Sequence, residues 1–271
     1  MKSIAIINQK GGVAKTTTTI NLAHYFALQG KKVLIMDLDG QGHVAPSLGL
    51  RKNDGLLRLI VNSEPIEKVA MEARKNMWLI TNDHTAEQVK LFVEKANFRE
   101  YLLSTILEEA AAFDIVLMDC PPSADVLHVL ALVASDLAMI PANLDYLAME
   151  GVLYVLKTIK SMARYPNVVP PIVVGVLPTM YDRVTKETVQ NVMYLQQAVG
   201  ADMILPPNPR DTKIREASSR GQTIWEHAPD SAAAIGYSDG SKMRNSRGLI
   251  GGYLHAGEIT MDAIKVLERR G

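Results

Sequence analysis

Residues 8–17 read NQKGGVAKTT, placing two lysines five positions apart around a glycine pair and closing on threonines. This set of residue types suits a polyphosphate. Gly11 and Gly12 let the chain curl and bring backbone amides close to anionic oxygens. Val13 and Ala14 carry the loop into a helix, whose first turn adds partial positive charge. From that turn Lys15 reaches phosphate oxygens. Thr16, followed by Thr17, offers a hydroxyl to Mg²⁺, an ion that takes few protein ligands and completes its shell with phosphates and water. The general spacing G-x-x-x-x-G-K-[ST] would put glycines at 9 and 14. Those positions hold Gln9 and Ala14, and Lys10 is an additional cation. Alanine resists a positive φ, so Ala14 is expected to tighten the loop.

Carboxylates recur farther along. MDLDGQGH (36–43) places Asp37 and Asp39 after an apolar run, and FDIVLMDCPPS (113–123) ends a second apolar run on Asp119. Carboxylates gathered near a triphosphate repel it unless a cation or water lies between, so they suit water positioning and outer-shell metal binding. The two prolines after Cys120 stiffen their loop. Cys120 itself reads as a small buried filler.

The elements that must position these residues follow from hydrophobic periodicity. Apolar runs at 3–8, 32–39, 77–81, 114–119, 136–142, 171–179 and 203–206 read as strands, and helical patterns fall near 16–30, 85–111, 146–164 and 185–199. Continuous apolar strands alternating with helices predict an α/β fold, a mainly parallel twisted sheet with helices on both faces. Ligands in such folds bind at carboxyl ends of strands. The polar signatures at 8–17, 37–41, 119–123 and 179–183 all fall there. The glycine- and serine-rich stretch 236–257 reads as a loop, and a final amphipathic helix is expected at about 258–270, with Ile259, Ala263, Ile264 and Leu267 on one side.

The 271 residues, 48% of them hydrophobic, suffice for one large core, and no low-complexity linker divides them. The 29 basic and 29 acidic residues cancel, so any nucleic-acid contact must come from a local patch. A single cysteine excludes a disulfide framework and any site needing two thiolates per chain, and fits a cytoplasmic protein. The amino-terminal apolar run is too short for a signal peptide. The stretch 126–142, broken by His128, Ser135, Asp136 and Pro141, is shorter than a membrane span of ~20 residues. It reads as a buried helix followed by a buried strand.

KGGVAKTT resembles the deviant Walker A motif K-G-G-x-x-K-[ST]-[ST] of the ParA/MinD superfamily of P-loop ATPases. The resemblance implies ATP and Mg²⁺ as cofactors, with Gly11–Thr17 around the phosphates and Lys10 reaching the partner's phosphates across an ATP-sandwich homodimer. DLDGQ resembles the family's D-x-D-P-Q segment, with Gly40 where proline is common. By that match Asp39 orients the attacking water and Asp37 supports the Mg²⁺ shell, alongside Thr16 and Asp119, the latter in D-C-P-P. Lys10, Lys15 and Asp39 are thereby the implied catalytic residues. PTMYDRVTKET (178–188) and PRDTKIREASSRGQTIWEHAPDSAAA (209–234) resemble adenine-framing segments of the ParA branch, which implicates Met180, Pro209 and Asp211. MinD-type relatives lack the second of these, and the terminal helix, with Asp262 and Glu268, is a poor interfacial helix, so no membrane is expected.

The family reading implies one ATPase domain over residues 1–271, with a loop insertion at 236–252. It implies slow hydrolysis stimulated by a ParB-like adaptor, a nucleoid location, and nonspecific binding of double-stranded DNA to segregate a plasmid or chromosome. Lys213, Arg215 and Arg220 are candidates for the DNA face, and the insertion adds Lys242, Arg244 and Arg247. The chain opens directly on its first strand, so no amino-terminal helix-turn-helix and no operator reading are expected. A ParA-like ATPase positioning another cargo, such as a chemotaxis cluster or carboxysome, is the alternative; a MinD-like division regulator is a weaker one.

Overall fold

The computed structural model describes residues 1–123, 125–165, 167–182, 185–238 and 243–269. In chain order the elements begin β1 (Lys2–Ile6), α1 (Lys15–Leu28), β2 (Val33–Asp37), α2 (Val44–Ser47), α3 (Gly55–Ile60), α4 (Ile66–Val69), β3 (Met71–Arg74), β4 (Met77–Ile80), α5 (Ala86–Lys95) and α6 (Leu102–Glu108). They continue with β5 (Ile115–Asp119), α7 (Val126–Val133), β6 (Leu137–Asn143), α8 (Tyr146–Met162), β7 (Ile172–Thr179), α9 (Lys186–Val199), α10 (Thr212–Ser219), α11 (Ile224–His227), α12 (Ala232–Ile235) and α13 (Gly252–Glu268).

The strands form a seven-stranded sheet among the described residues, in the order β3-β4-β2-β5-β1-β6-β7. Every pairing is parallel except β3 with β4. Alternation along each strand supplies two cores. Ala5, Ile7, Leu34 and Met36 face the layer holding α3, α5, α7 and α8, whereas Ile4, Ile6, Val33 and Ile35 face α1, α11, α12 and α13. This two-sided burial explains the uninterrupted apolar runs.

Helix α1 is enclosed between the sheet and α13. Phe26 is fully buried, a burial worth about 1.5–3 kcal/mol. Its neighbour Tyr25 lies edge-on to it at 5.5 Å and close to Trp225 at 5.9 Å. Gly257 is needed for this approach, because a Cβ there would stand 2.4 Å from the Tyr25 ring.

Two expectations are corrected and one strand is added. The run 203–206 is not a strand: Ile204 makes an isolated bridge to Val176 and Leu205 N donates to Val176 O at 2.8 Å, after which Pro206 and Pro207 have no amide to offer. The last helix starts at Gly252, well inside the stretch read as loop. The antiparallel edge strand β3, unread from MEAR, pairs with β4 through a bulge between Glu72 and Arg74. Within 236–252, Tyr237 pairs with Ile250, and the buried Asn245 staples the turn by accepting from Arg247 N and Leu249 N and donating to Ile235 O. Lys242 and Arg183 lie outside the described residues.

Arg74 anchors the segment after β7 to the sheet edge. Its guanidinium pairs with Glu226 and donates to the carbonyl of Gly221 at 2.8 Å. Gly221 and Gly49 meet so closely that a Cβ on Gly221 would lie 2.6 Å from the Gly49 Cα. Thus α10 and α11 are seated beside α2, which follows the loop bearing Asp37 and Asp39.

Candidate functional site

The parallel register brings the carboxyl ends of β1, β2 and β5 together. Asp119 stands opposite Ile6 on one side and Asp37 on the other, so two buried aspartates are cross-strand neighbours. Burial pushes the Asp37 carboxyl well above the ordinary carboxylate range, and the Asp119 charge raises it further. Asp119 is raised to about 7, first by burial, with the Thr16 hydroxyl and the Lys15 charge acting in the opposite sense.

The loop after β1 is pinned at its start. Asn8 donates to Pro141 O at 2.8 Å and accepts from Lys10 N at 3.0 Å, and α8 crosses so near that a Cβ on Gly151 would stand 2.4 Å from Asn8 Oδ1. At its far end Val13 is buried and its carbonyl accepts from the Thr179 hydroxyl at 3.2 Å. Ala14 takes the left-handed conformation, φ 66° and ψ 30°, and caps α1. Alanine resists this conformation, so the loop holds Ala14 at a positive φ against its own preference. Lys15, buried, donates to Lys10 O across the loop at 2.9 Å, and its ammonium is depressed first by burial and supported by Asp119. Thr16 Oγ1 donates to Asp119 Oδ2 at 2.7 Å, and Thr19 Oγ1 reaches Asp119 Oδ1 at 3.3 Å.

Asp37 accepts from Asp39 N at 3.1 Å and from Val44 N at 3.2 Å, which leaves lone pairs on both oxygens. Asp39 accepts from Gln41 N at 2.9 Å. Gly40 lies so near α5 that a Cβ there would stand 2.8 Å from the Ala86 Cβ. Cys120 is buried, with its thiol 3.6 Å from Met118 O and pushed well above its ordinary range by burial, in keeping with a filler.

A cavity of about 600 Å³ opens over these groups. One wall is the Gly11–Thr17 loop with Asp39 and Pro122; the other is Met180, Pro209, Asp211 and Arg215. Met180, Pro209 and Asp211 are therefore brought to the phosphate loop from more than 160 positions away in sequence. Met180 is partly exposed at φ 53°, and Pro209 is fixed by the bridge Tyr181–Pro209. Asp211 has both oxygens engaged, accepting from Lys213 N at 2.9 Å and Ala233 N at 3.2 Å, so it shapes the wall as the cap of α10. Sequence reasoning missed Asn208 and Tyr253, which also line the cavity. Tyr253 sits in a glycine-rich run with no local signal of a site.

Lys10, Val13, Asp37 and Asp119 do not line the cavity, the two aspartates lying buried beneath it. The Lys10 ammonium instead meets Asp145 Oδ1 at 2.5 Å at the end of β6, with the lysine side chain 27% exposed. On α10, Lys213 pairs with Glu216 at 2.8 Å, while Arg215 and Arg220 are exposed and form no ion pair among the described residues. Glu216 is held down at about 2, first by Lys213 and then by His227. Arg247 pairs with Asp230 at 3.2 Å, and Arg244 donates to Gly248 O at 2.6 Å. Among the described residues no helix is long and apolar enough to cross a membrane.

The AAA domain family model matches residues 1–169. The chain is 37% identical over 238 residues to the chromosome-partitioning ATPase Soj of Thermus thermophilus, covering 88% of this chain and 92% of that protein. It is 32% identical over 232 residues to the chromosome partitioning protein ParA of Caulobacter vibrioides, covering 83% and 86%. Among solved structures it resembles the ATP complex of a substituted Cyanothece McdA with a TM-score of 0.77 at 21% identity, over 84% of this chain and 90% of that one, a likeness of fold. With the family model spanning the phosphate loop and the aspartate loops, and the Soj and ParA relatives covering more than four-fifths of its length, the chain belongs to the Soj/ParA family of chromosome-partitioning ATPases.

Proposed function

We propose that this chain hydrolyses ATP slowly as a Mg²⁺-dependent homodimer that binds double-stranded DNA without sequence preference and is stimulated by a ParB-like adaptor. The observation that carries the reading is one cavity lined by the phosphate loop, Asp39, Met180 and Pro209, with Asp119 tied to the loop through Thr16 and paired with Asp37 across the sheet. Gly11–Thr17 supplies amides and the Lys15 ammonium for the phosphates. Met180 and Pro209 frame the base, and Asp211 fixes the wall beside it.

The donor set fits Mg²⁺. Two buried carboxylates and a hydroxyl form a hard-oxygen cluster in which burial favours the protonated acids, a cost that a divalent cation would offset. Among the described residues no group of three His, Cys, Asp or Glu could hold a metal. A cation here depends on few protein oxygens, as Mg²⁺ at a nucleotide does. Thr16 would hold it directly, with Asp37 and Asp119 through its water shell. When bound, it neutralises charge on the phosphates. Asp39, on the cavity wall, accepts a proton of the attacking water and aims the oxygen at the terminal phosphate. Its Gln41 N–H bond holds the carboxylate in place.

Lys10 supports the dimer. Its ammonium is directed to Asp145 rather than into its own cavity, a position from which a facing copy is the available phosphate source. Arg215 and Arg220 give α10 a cationic, exposed face for DNA phosphates.

The test is retention of nonspecific duplex by the purified chain with Mg²⁺ and ATP, ADP or no nucleotide, across salt concentrations. Binding is expected with ATP only and falls steeply as salt rises. DNA binding indifferent to ATP overturns the reading. Lys10→Ala is expected to keep ATP binding and lose partner-stimulated phosphate release; wild-type release from that variant overturns the cross-dimer role.

A further inference from the structure

Helix α5 touches both loops that carry the aspartates of the site. At its first residue, Ala86 packs against Gly40, beside Asp39, so closely that no side chain fits between. One turn later, the Lys90 ammonium lies 3.0 Å from Asp125 Oδ2. Asp125 closes the loop that begins at Asp119. Its Oδ2 also accepts from Ser123 Oγ at 2.7 Å, and its Oδ1 accepts from Leu127 N at 3.1 Å and His128 N at 3.3 Å, capping α7.

The loop is therefore held at two ends, by Thr16 on Asp119 and by Lys90 on Asp125. Lys90 and Asp125 are 22% and 19% exposed, unlike the second partner of Lys90, Glu87, at 77%. Screening by water is weaker for the first pair than for the second, so Asp125 is the partner that fixes the lysine. On the adjoining face, Val89 and Val93 are buried in the core and keep α5 from yielding.

We propose that Lys90 is a positioning residue for hydrolysis: through Asp125 it sets the loop after Asp119, and through Ala86 the same helix registers that loop against Asp39. This rests on the ATPase reading above. Lys90 touches no substrate; it fixes the distance between the loop on β5 and the loop on β2. A displacement of reacting groups by about 1 Å costs up to about a hundredfold in rate.

The experiment compares wild type, Lys90→Gln and Lys90→Arg by two readouts. Single-site ATP kinetics with Mg²⁺, DNA and partner are expected to show kcat lowered about tenfold in Lys90→Gln at unchanged KM, and largely restored in Lys90→Arg. Hydrogen exchange without nucleotide is expected to accelerate at the Leu127 and His128 amides in Lys90→Gln, with α1 and β5 unchanged, and to return in Lys90→Arg. A Lys90→Gln variant with wild-type kcat, or with wild-type exchange at those amides, overturns the proposal, as does a fall in kcat that Lys90→Arg fails to restore. If the wild-type chain releases no phosphate, the ATPase reading and the catalytic role fall together, whereas exchange still reads the hold of Lys90 on the loop.

Discussion

Asp119→Asn probes the charge balance of the site without nucleotide. The carboxyl is raised from 3.8 to about 7, with burial the first cause. A raised acid keeps its proton in the folded chain over a range where the unfolded chain has lost it. The native state is thus favoured below the unfolded value and loses that advantage as pH climbs through the folded one. A rise of this size corresponds to about 4 kcal/mol of destabilisation above pH 7, only the smaller part of which is present at pH 5. Asparagine does not titrate. The stability of Asp119→Asn relative to wild type should therefore rise by about 2–3 kcal/mol between pH 5 and pH 8. Any fixed cost of the amide, such as a poorer bond to Thr16, cancels in that difference. Thermal melts in chelator at four pH values read it as a gap in Tm that widens by roughly 5–10 °C, since about 2–4 °C accompanies each kcal/mol at this size. Adding Mg²⁺ and a nonhydrolysable ATP analogue should reverse the ranking, because the ligand stabilises the form that binds it. A gap that is flat with pH, or that narrows, would refute the reasoning.

Two other outcomes follow from local geometry. Ala14→Gly relieves a left-handed alanine, worth about 1–2 kcal/mol, against a glycine entropy cost of about 0.5–1 kcal/mol, so denaturant melts should show it neutral or up to about 1 kcal/mol more stable; a clear loss of stability would show that the φ of 66° is unstrained. Replacing Arg215 and Arg220 together with alanine should flatten the slope of log affinity against log salt by about 2, roughly one per phosphate contact, and an unchanged slope removes α10 from the DNA face.

The site was legible where chemistry and periodicity coincide. The run to Asp119 is apolar on both faces because β5 is buried on both faces, and the aspartate marks the strand's carboxyl end. The approach of Met180 and Pro209 to the loop was readable only by resemblance, since no local pattern records a contact over such separations. Strand β3 was hidden because a four-residue edge strand, half exposed, has no apolar run. The start of α13 was hidden by Gly251, Gly252 and Gly257, which read as loop residues. Gly257 is there to admit the Tyr25 ring, and Gly252 lies against the Gly236 backbone at φ 73°. Packing chose those glycines, and local propensity pointed the other way.

The enclosure of α1 by α13 bears on how the chain is made. The helix that follows the phosphate loop is synthesised within the first thirty residues, yet the helix that covers it ends at Glu268. Until α13 has left the ribosome, the outer side of α1 is covered only in part, by Trp225 against Tyr25, and Tyr253 is missing from the cavity wall. Contacts this far apart in sequence form late and slowly. The nascent chain therefore carries a nearly finished phosphate loop beside an open apolar surface, a species suited to chaperone capture.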